Sequence, residues 1–429
     1  MTQQDTKNKP VARCFALLCL YLTPVFDILN GIFANSGLLS IGQATHTVMI
    51  IGNIFFILLL GYRKPVCATL FSSLYFLFFV LVQALLSNGL SLNTDLNYSS
   101  KLLLFLTEWL FLKSCVDGKI ISEKDFVSFL KYSMALIPLS ILFAKITGTM
   151  KLSYGGEVGT KGYFTSLNAL TIILITLVIL AVHFAIYNKS SWLWAVFNIV
   201  AVFLLGSKSP FIFLAAALVL AVLFNSKNRL KMIAFLTIIA VGCYIVVHFF
   251  FSNEFTKIIQ WQTSFMDRAA QTDNWTQYLL SGRNQLLTAG WTVFLGHLPP
   301  IAFLFGIGPY TLQSGIGSLL NLSSLRGVEM DFAEIFFAYG AVIALPLYYI
   351  ILKAFTWKAK DQKTAFCDNL CLGGMLIFSI FGGHVLTEAI SATYLAMLLA
   401  FKYCRQRSLC LTEECSRNDS ACSKYFKAV

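Results

Sequence analysis

Runs of about 17–25 apolar residues recur along the whole of this chain, and each can cross the hydrocarbon core of a bilayer as a helix. Few folds accept such a pattern. Only 12% of the 429 residues are charged and 57% are hydrophobic, whereas soluble domains carry about 25% charged residues. An outer-membrane barrel would alternate apolar and polar residues over segments of about ten, and these runs do not. The expected fold is an all-α, polytopic integral membrane protein with about twelve transmembrane helices. The spans are read at 14–34, 43–61, 66–87, 101–117, 127–147, 165–187, 191–206, 209–225, 230–252, 331–354, 365–381 and 384–402. The chain divides accordingly into a transmembrane bundle over 1–252, a large polar loop over 253–330, further spans over 331–402 and a polar tail over 403–429.

Charge sets the orientation. With the N-terminus in the cytoplasm, the inner loops hold Arg63, Lys64, Lys113, Lys119, Lys124, Lys189, Lys227, Arg229, Lys231, Lys353, Lys358, Lys360 and Lys363, and the tail holds six more cations. The first two outer segments, 35–42 and 88–100, hold none. This bias predicts both termini in the cytoplasm and the long loop outside. The first apolar stretch, Cys14 to Ala34, is too long for the core of a cleavable signal and is read as the first span. All eleven cysteines fall in spans, at cytoplasmic ends or in the tail, as expected for a bacterial inner (plasma) membrane facing an oxidising exterior. The cysteine spacings match no zinc pattern, so no metal is expected. The net charge of +12 is explained by orientation and calls for no nucleic acid partner.

The informative cations are those that break the bias. Lys145, Lys151 and Lys161 flank the third outer loop, Lys208 sits in Gly206-Ser207-Lys208-Ser209-Pro210, and the long loop carries Lys257, Arg268, Arg283 and Arg326. Lys208 either snorkels to the headgroups or faces a cavity, since an ionisable residue within a span usually has a partner. Arg283 opens an amphipathic helix on which Leu287, Trp291, Phe294, Leu295 and Leu298 share a face, with Ser281 as its N-cap. Glu329, Asp331 and Glu334 cluster where the loop re-enters the membrane. Asp331 with Glu334 fits a capping box, which leaves Glu329 unexplained. His384, in Gly382-Gly383-His384-Val385, opens the last span as a packed histidine or as a site residue. Gly306-Ile307-Gly308 lacks the strand and helix context of a phosphate cradle, and no HExxH, GxSxG or Walker pattern occurs. Outer cations, carboxylates and one histidine suit a substrate with an anionic leaving group, such as a glycan on a polyprenyl diphosphate.

In order along the chain, Lys161-Gly162-Tyr163-Phe164 with Asn168, Gly206-Ser207-Lys208-Ser209, Ser281-Gly282-Arg283 with Trp291, Phe305-Gly306-Ile307-Gly308, and Glu329-Met330-Asp331 through Phe337-Ala338-Tyr339-Gly340 resemble the bacterial O-antigen polymerase and ligase superfamily, that is, the Wzy-type polymerases and the ligases related to them. The resemblance implies a fold like that of the C-type glycosyltransferases and a metal-independent polymerase without a cofactor. Its donor would be an undecaprenyl (polyprenyl) diphosphate-linked oligosaccharide, built into an O-antigen or capsule, with a chain-length regulator and a flippase as pathway partners. It implies diphosphate binding by Arg283, and by Lys208 where related proteins often carry arginine. Lys161, which with Lys145 and Lys151 also fits a headgroup contact, and Arg326 join these as expected substrate-binding residues, and Arg283, Glu329, Asp331 and His384 are the expected catalytic ones. The ligase branch shows a histidine eleven residues before a glycine. Counting back from Gly340 meets Glu329 instead, which favours a polymerase over a ligase or oligosaccharyltransferase and leaves the base open between Glu329 and Asp331. A transporter of the same lipid-linked glycan is the remaining alternative; the inverted repeats common in transporters are not evident.

Overall fold

The computed structural model describes residues 3–35, 42–154, 158–187, 190–206, 282–297 and 299–417, with isolated positions between 214 and 260. Over these residues the protein is mostly helical. The helices are α1 (Gln3–Asn35), α2 (Gly42–Leu60), α3 (Arg63–Leu86), α4 (Leu92–Asp117), α5 (Glu123–Ile146), α6 (Leu167–Tyr187), α7 (Leu193–Leu204), α8 (Arg283–Leu295), α9 (Pro299–Phe305), α10 (Pro309–Leu319), α11 (Asp331–Ala354), α12 (Gln362–Phe381) and α13 (Ala389–Arg417). A small antiparallel hairpin, β1 (Lys151–Tyr154) and β2 (Val158–Gly162), separates α5 from α6.

Seven of the described helices are long and apolar enough to cross a membrane: the Asn8–Phe33 part of α1, and α2, α3, α5, α6, α11 and α12. The protein is a membrane-embedded, multi-pass helical protein. The expected spans 101–117 and 384–402 fall on α4 and α13, which carry too much polar sequence to join the seven, and 191–206 falls on the short α7. The expected spans 209–225 and 230–252 lie mostly outside the described residues. α13 begins at Ala389, so His384 precedes the last helix instead of opening it. The tail does not leave the helix at residue 403: α13 continues to Arg417. Two side chains anchor that extension. The Tyr403 hydroxyl donates to Asp117 (2.7 Å), and Arg405 bridges Glu123 (2.8 Å) and Asp368 (2.6 Å).

The surface is that of a protein dissolved in lipid. On α3, Phe71, Leu74, Leu77 and Phe78 are all more than half exposed, a contiguous apolar patch that a water-soluble monomer rarely shows. α6 is the opposite case. Every residue from Ala169 to Phe184 is buried, so this helix, apolar all round, takes the centre of the bundle and not its lipid face. α5, α7 and α12 pack on it, while α4 packs on α13, α2 and α3.

Two ends of the bundle can be told apart by their pairings. At one, Arg13 meets Asp125 and Arg405 meets Glu123. At the other, Asp331 binds the 384–387 turn and Lys101 meets Glu388. α9 and the loop after it fasten onto α11 at this second end. The Ile307 N–H donates to the Phe337 carbonyl (2.9 Å) and the Gly308 N–H to the Ala338 carbonyl (3.0 Å). These bonds exist because α11 is broken at Gly340, whose φ of 67° and ψ of −172° lie in a region essentially reserved for glycine. Gly306 and Gly308 thus serve a backbone-to-backbone seam.

Candidate functional site

The second end collects most of the residues singled out from the sequence. Arg326 Nε donates to Glu329 Oε1 (3.0 Å), and Arg283 Nε lies 3.7 Å from Glu329 Oε2. One carboxylate therefore gathers two arginines from segments more than forty positions apart. Arg326 is half exposed and Arg283 largely buried. Glu329 adopts a left-handed backbone (φ 59°), uncommon for a residue with a side chain.

Arg283 reaches this corner on α8, whose register differs from the expected one. Leu286, Ala289, Gly290 and Phe294 are buried, while Trp291 and Leu295 are about half exposed and Leu287 is half-buried. Small residues decide this phase. A Cβ at Gly290 would come within 2.9 Å of Val328, so small residues permit the closest approach, as is common between helices in lipid, with Leu286 and Phe294 packed beside them and Leu295 turned outward. Gly282, in left-handed conformation (φ 81°), precedes the helix. The expected cap Ser281 and the stripe residue Leu298 lie outside the described residues, as does Lys208.

Asp331 is not the cap of α11. Met330 occupies that position, and the Asp331 carboxylate turns to the 379–387 segment. Oδ1 accepts from the His384 N–H (2.9 Å) and the Thr387 hydroxyl (2.7 Å). Oδ2 accepts from Val385 N–H (2.6 Å), Leu386 N–H (2.8 Å) and the Ser379 hydroxyl (3.2 Å). Five donors fill the roughly four lone-pair positions of a carboxylate, so Asp331 holds the 379–387 segment against the start of α11. The carboxylate fixes the turn that carries His384, another left-handed residue (φ 63°). His384 Nδ1 contacts the Thr387 hydroxyl (3.2 Å). Gly383 permits the close approach: a Cβ there would fall 2.0 Å from the Glu329 carbonyl oxygen. The arginine corner and the histidine turn are thus in backbone contact.

The assignment of Asp331 has a direct consequence. In Asp331→Asn the amide keeps one acceptor oxygen and turns two donors towards donors, and each buried group left unpaired costs about 1–3 kcal/mol. Asp331→Asn is expected to destabilise the protein by about 3 kcal/mol or more, whereas Glu329→Gln, at a partly solvated ion pair, costs about 1 kcal/mol or less. Thermal unfolding in lipid nanodiscs measures both. An Asp331→Asn protein as stable as wild type would contradict this role.

Glu334, expected as a capping-box partner, is buried instead; Oε2 accepts the Glu329 N–H (3.2 Å), and Oε1 has no hydrogen-bond partner among the described residues. Other residues nearby carried no distinguishing mark in the sequence. Asp95, fully buried at the start of α4, accepts the Tyr310 N–H (2.9 Å) and fixes α10. Beside them lies a cavity of about 370 Å³ between α1, α2, α4 and the turn before α13, with Asp27, His46, Lys101 and Glu388 in its wall. Lys101 Nζ lies 3.6 Å from Glu388 Oε1. Tyr98, one residue after the cavity residue Asn97, lies within electrostatic reach of Glu334, Glu388 and Asp331.

Lys161 lies beside the cavity wall without being part of its lining. Its Nζ donates to the carbonyl of Thr165 (2.7 Å), a cavity residue. Burial, and then the nearby Lys151 charge, push its ammonium below the usual lysine range, with Glu388 opposing. The structure therefore groups Arg283, Arg326 and Glu329, brings Asp331 and His384 against them, and sets Lys161 beside the cavity. No protein-family model, curated protein or solved structure matches this chain.

Proposed function

We propose that the protein is a membrane glycosyltransferase that polymerises oligosaccharide repeat units carried on polyprenyl diphosphate. The observation that carries this reading is the convergence of Arg283 and Arg326 on Glu329 in backbone contact with the His384 turn. In the proposal this end faces the exterior, in line with the charge bias of the loops. The arginines bind the lipid diphosphate; guanidinium forks suit phosphate oxygens and stabilise the charge that grows as the bond breaks. The prenyl chain remains in lipid along the exposed apolar faces.

The reaction needs one bond made and one broken. An acceptor sugar hydroxyl attacks the anomeric carbon of the donor, and the carbon–oxygen bond to the diphosphate breaks with its electron pair leaving on the diphosphate. The acceptor proton needs a base. Asp331 is saturated by its five donors and Glu329 is held by two arginines, so His384, with Nδ1 engaged by Thr387, takes the proton at Nε2.

The test is an electrophoretic profile of surface polysaccharide from a strain lacking the protein. Glycan bearing single repeat units, restored to a ladder by the wild-type chain, is the expected result. Loss of all surface glycan would assign the protein to ligation or export instead.

A further inference from the structure

The cavity beside the arginine corner differs from it in chemistry, and that difference identifies its ligand. Its volume of about 370 Å³ lies within the range of about 300–1,000 Å³ usual for small-molecule sites. Such sites are mostly apolar, yet among the described residues of this lining only Ala389 and Ile390 are aliphatic. A lipid chain would find little to contact. An anionic group would meet two carboxyl groups, Asp27 and Glu388, while the lysine of the described lining, Lys101, is already paired by Glu388. Among the described residues no group of three His, Cys, Asp or Glu could hold a metal ion.

What the lining offers is a dense set of mixed donors and acceptors. Asn30, Gln43 and Asn97 each bring a carboxamide that both donates and accepts, and Thr165 a hydroxyl. Carboxylates accept strongly from hydroxyl donors. Sugar hydroxyls donate and accept in the same way. The wall is also built rather than incidental. The Asn30 side chain accepts the Gly42 N–H (3.0 Å) and joins α1 to α2, and α1 admits the Tyr163 backbone only because residue 31 is glycine, where a Cβ would fall 1.4 Å from the Tyr163 carbonyl oxygen.

We propose that this cavity binds an uncharged, hydroxyl-rich saccharide. The name acceptor site for it rests on the polymerase reading: the arginine corner takes the diphosphate of the donor, and the cavity takes the terminal sugars of the glycan to be extended.

The probe is the host polysaccharide's repeat-unit oligosaccharide, released by mild acid and free of lipid and phosphate. Its binding to the full-length protein in nanodiscs, without sugar-based detergent, is followed by saturation-transfer NMR. Asp27→Asn and Glu388→Gln each replace a carboxyl acceptor by an amide at nearly constant size, and each is expected to weaken binding about tenfold, the factor that 1.4 kcal/mol corresponds to. Gln43→Trp, at an exposed position of the first turn of α2, obstructs the cavity without removing a buried group and is expected to abolish binding even if the other two variants fold poorly. Inorganic pyrophosphate is expected not to displace the glycan. Binding unchanged in Gln43→Trp, or displaced by pyrophosphate, overturns the inference while leaving the polymerase reading intact. A wild-type protein that binds the glycan and a Gln43→Trp protein that does not, from a strain whose polymer ladder needs neither, would keep the cavity and reject the polymerase.

Discussion

Arg283→Ala is expected to lower the rate of polymer formation by about 10²–10³, the usual loss when one preorganised donor to a developing charge is removed. The fold is expected to survive. Glu329 keeps Arg326 at 3.0 Å after the substitution, so no carboxylate is stranded, and the buried face of α8 is made by Leu286, Ala289, Gly290 and Phe294. Arg283→Lys retains the charge but loses the planar fork, and is expected to fall between the two. The rate is read from single repeats and polymer formed per unit time, with thermal unfolding as the control for folding. A normal chain-length ladder from a stable Arg283→Ala protein would remove Arg283 from the site and the main support for the reading with it.

The second large effect concerns the frame and not the chemistry. Gly340→Ala is expected to cost about 3 kcal/mol or more. The new Cβ would fall 2.3 Å from the Leu304 carbonyl oxygen, at a residue already in left-handed φ with extended ψ. Relief requires the α9 segment to leave α11, which breaks the bonds from Ile307 and Gly308 to the Phe337 and Ala338 carbonyls. Gly373→Ala on α12 is the matched control. There the nearest atom to a Cβ is 3.8 Å away, on the Phe355 ring, and a helical alanine is favoured over glycine by about 1 kcal/mol. Unfolding temperatures of the two variants should therefore move in opposite directions, and equal shifts would contradict the seam.

The parts of this architecture that depend on neighbouring residues could be read from the sequence. Apolar runs long enough for a bilayer placed α2, α3, α5, α6, α11 and α12 close to their observed bounds. The position of Arg283 at the start of a helix was legible because the apolar periodicity begins there, but the face was not. Periodicity marks where large apolar residues lie, and in lipid some of them, here Trp291 and Leu295, stay half exposed while Ala289 and Gly290 join Leu286 and Phe294 in the contact. Asp331 shows a second limit. A carboxylate at a helix start fits a cap, and the donors that claim it come from residues 379–387, which no local pattern connects to it. The cavity is the extreme case. Asp27, His46, Lys101 and Glu388 sit on four segments, each unremarkable alone, and only the packing of α1, α2 and α4 with the turn before α13 makes a wall of them. The glycines of Gly306-Ile307-Gly308 were visible as a turn, but their partner, the break at Gly340, is a property of the folded pair.

The central claim is that the purified protein makes glycosidic bonds at the arginine corner. The most direct measurement places the protein alone in nanodiscs with polyprenyl-diphosphate-linked single repeat units and follows both glycan length and free polyprenyl diphosphate. The account predicts glycans of two or more repeats, one polyprenyl diphosphate released for each bond formed, and loss of both signals with Arg283→Ala. Lipid-linked units that cross the membrane or bind the protein while remaining single repeats, with no diphosphate released, would contradict it.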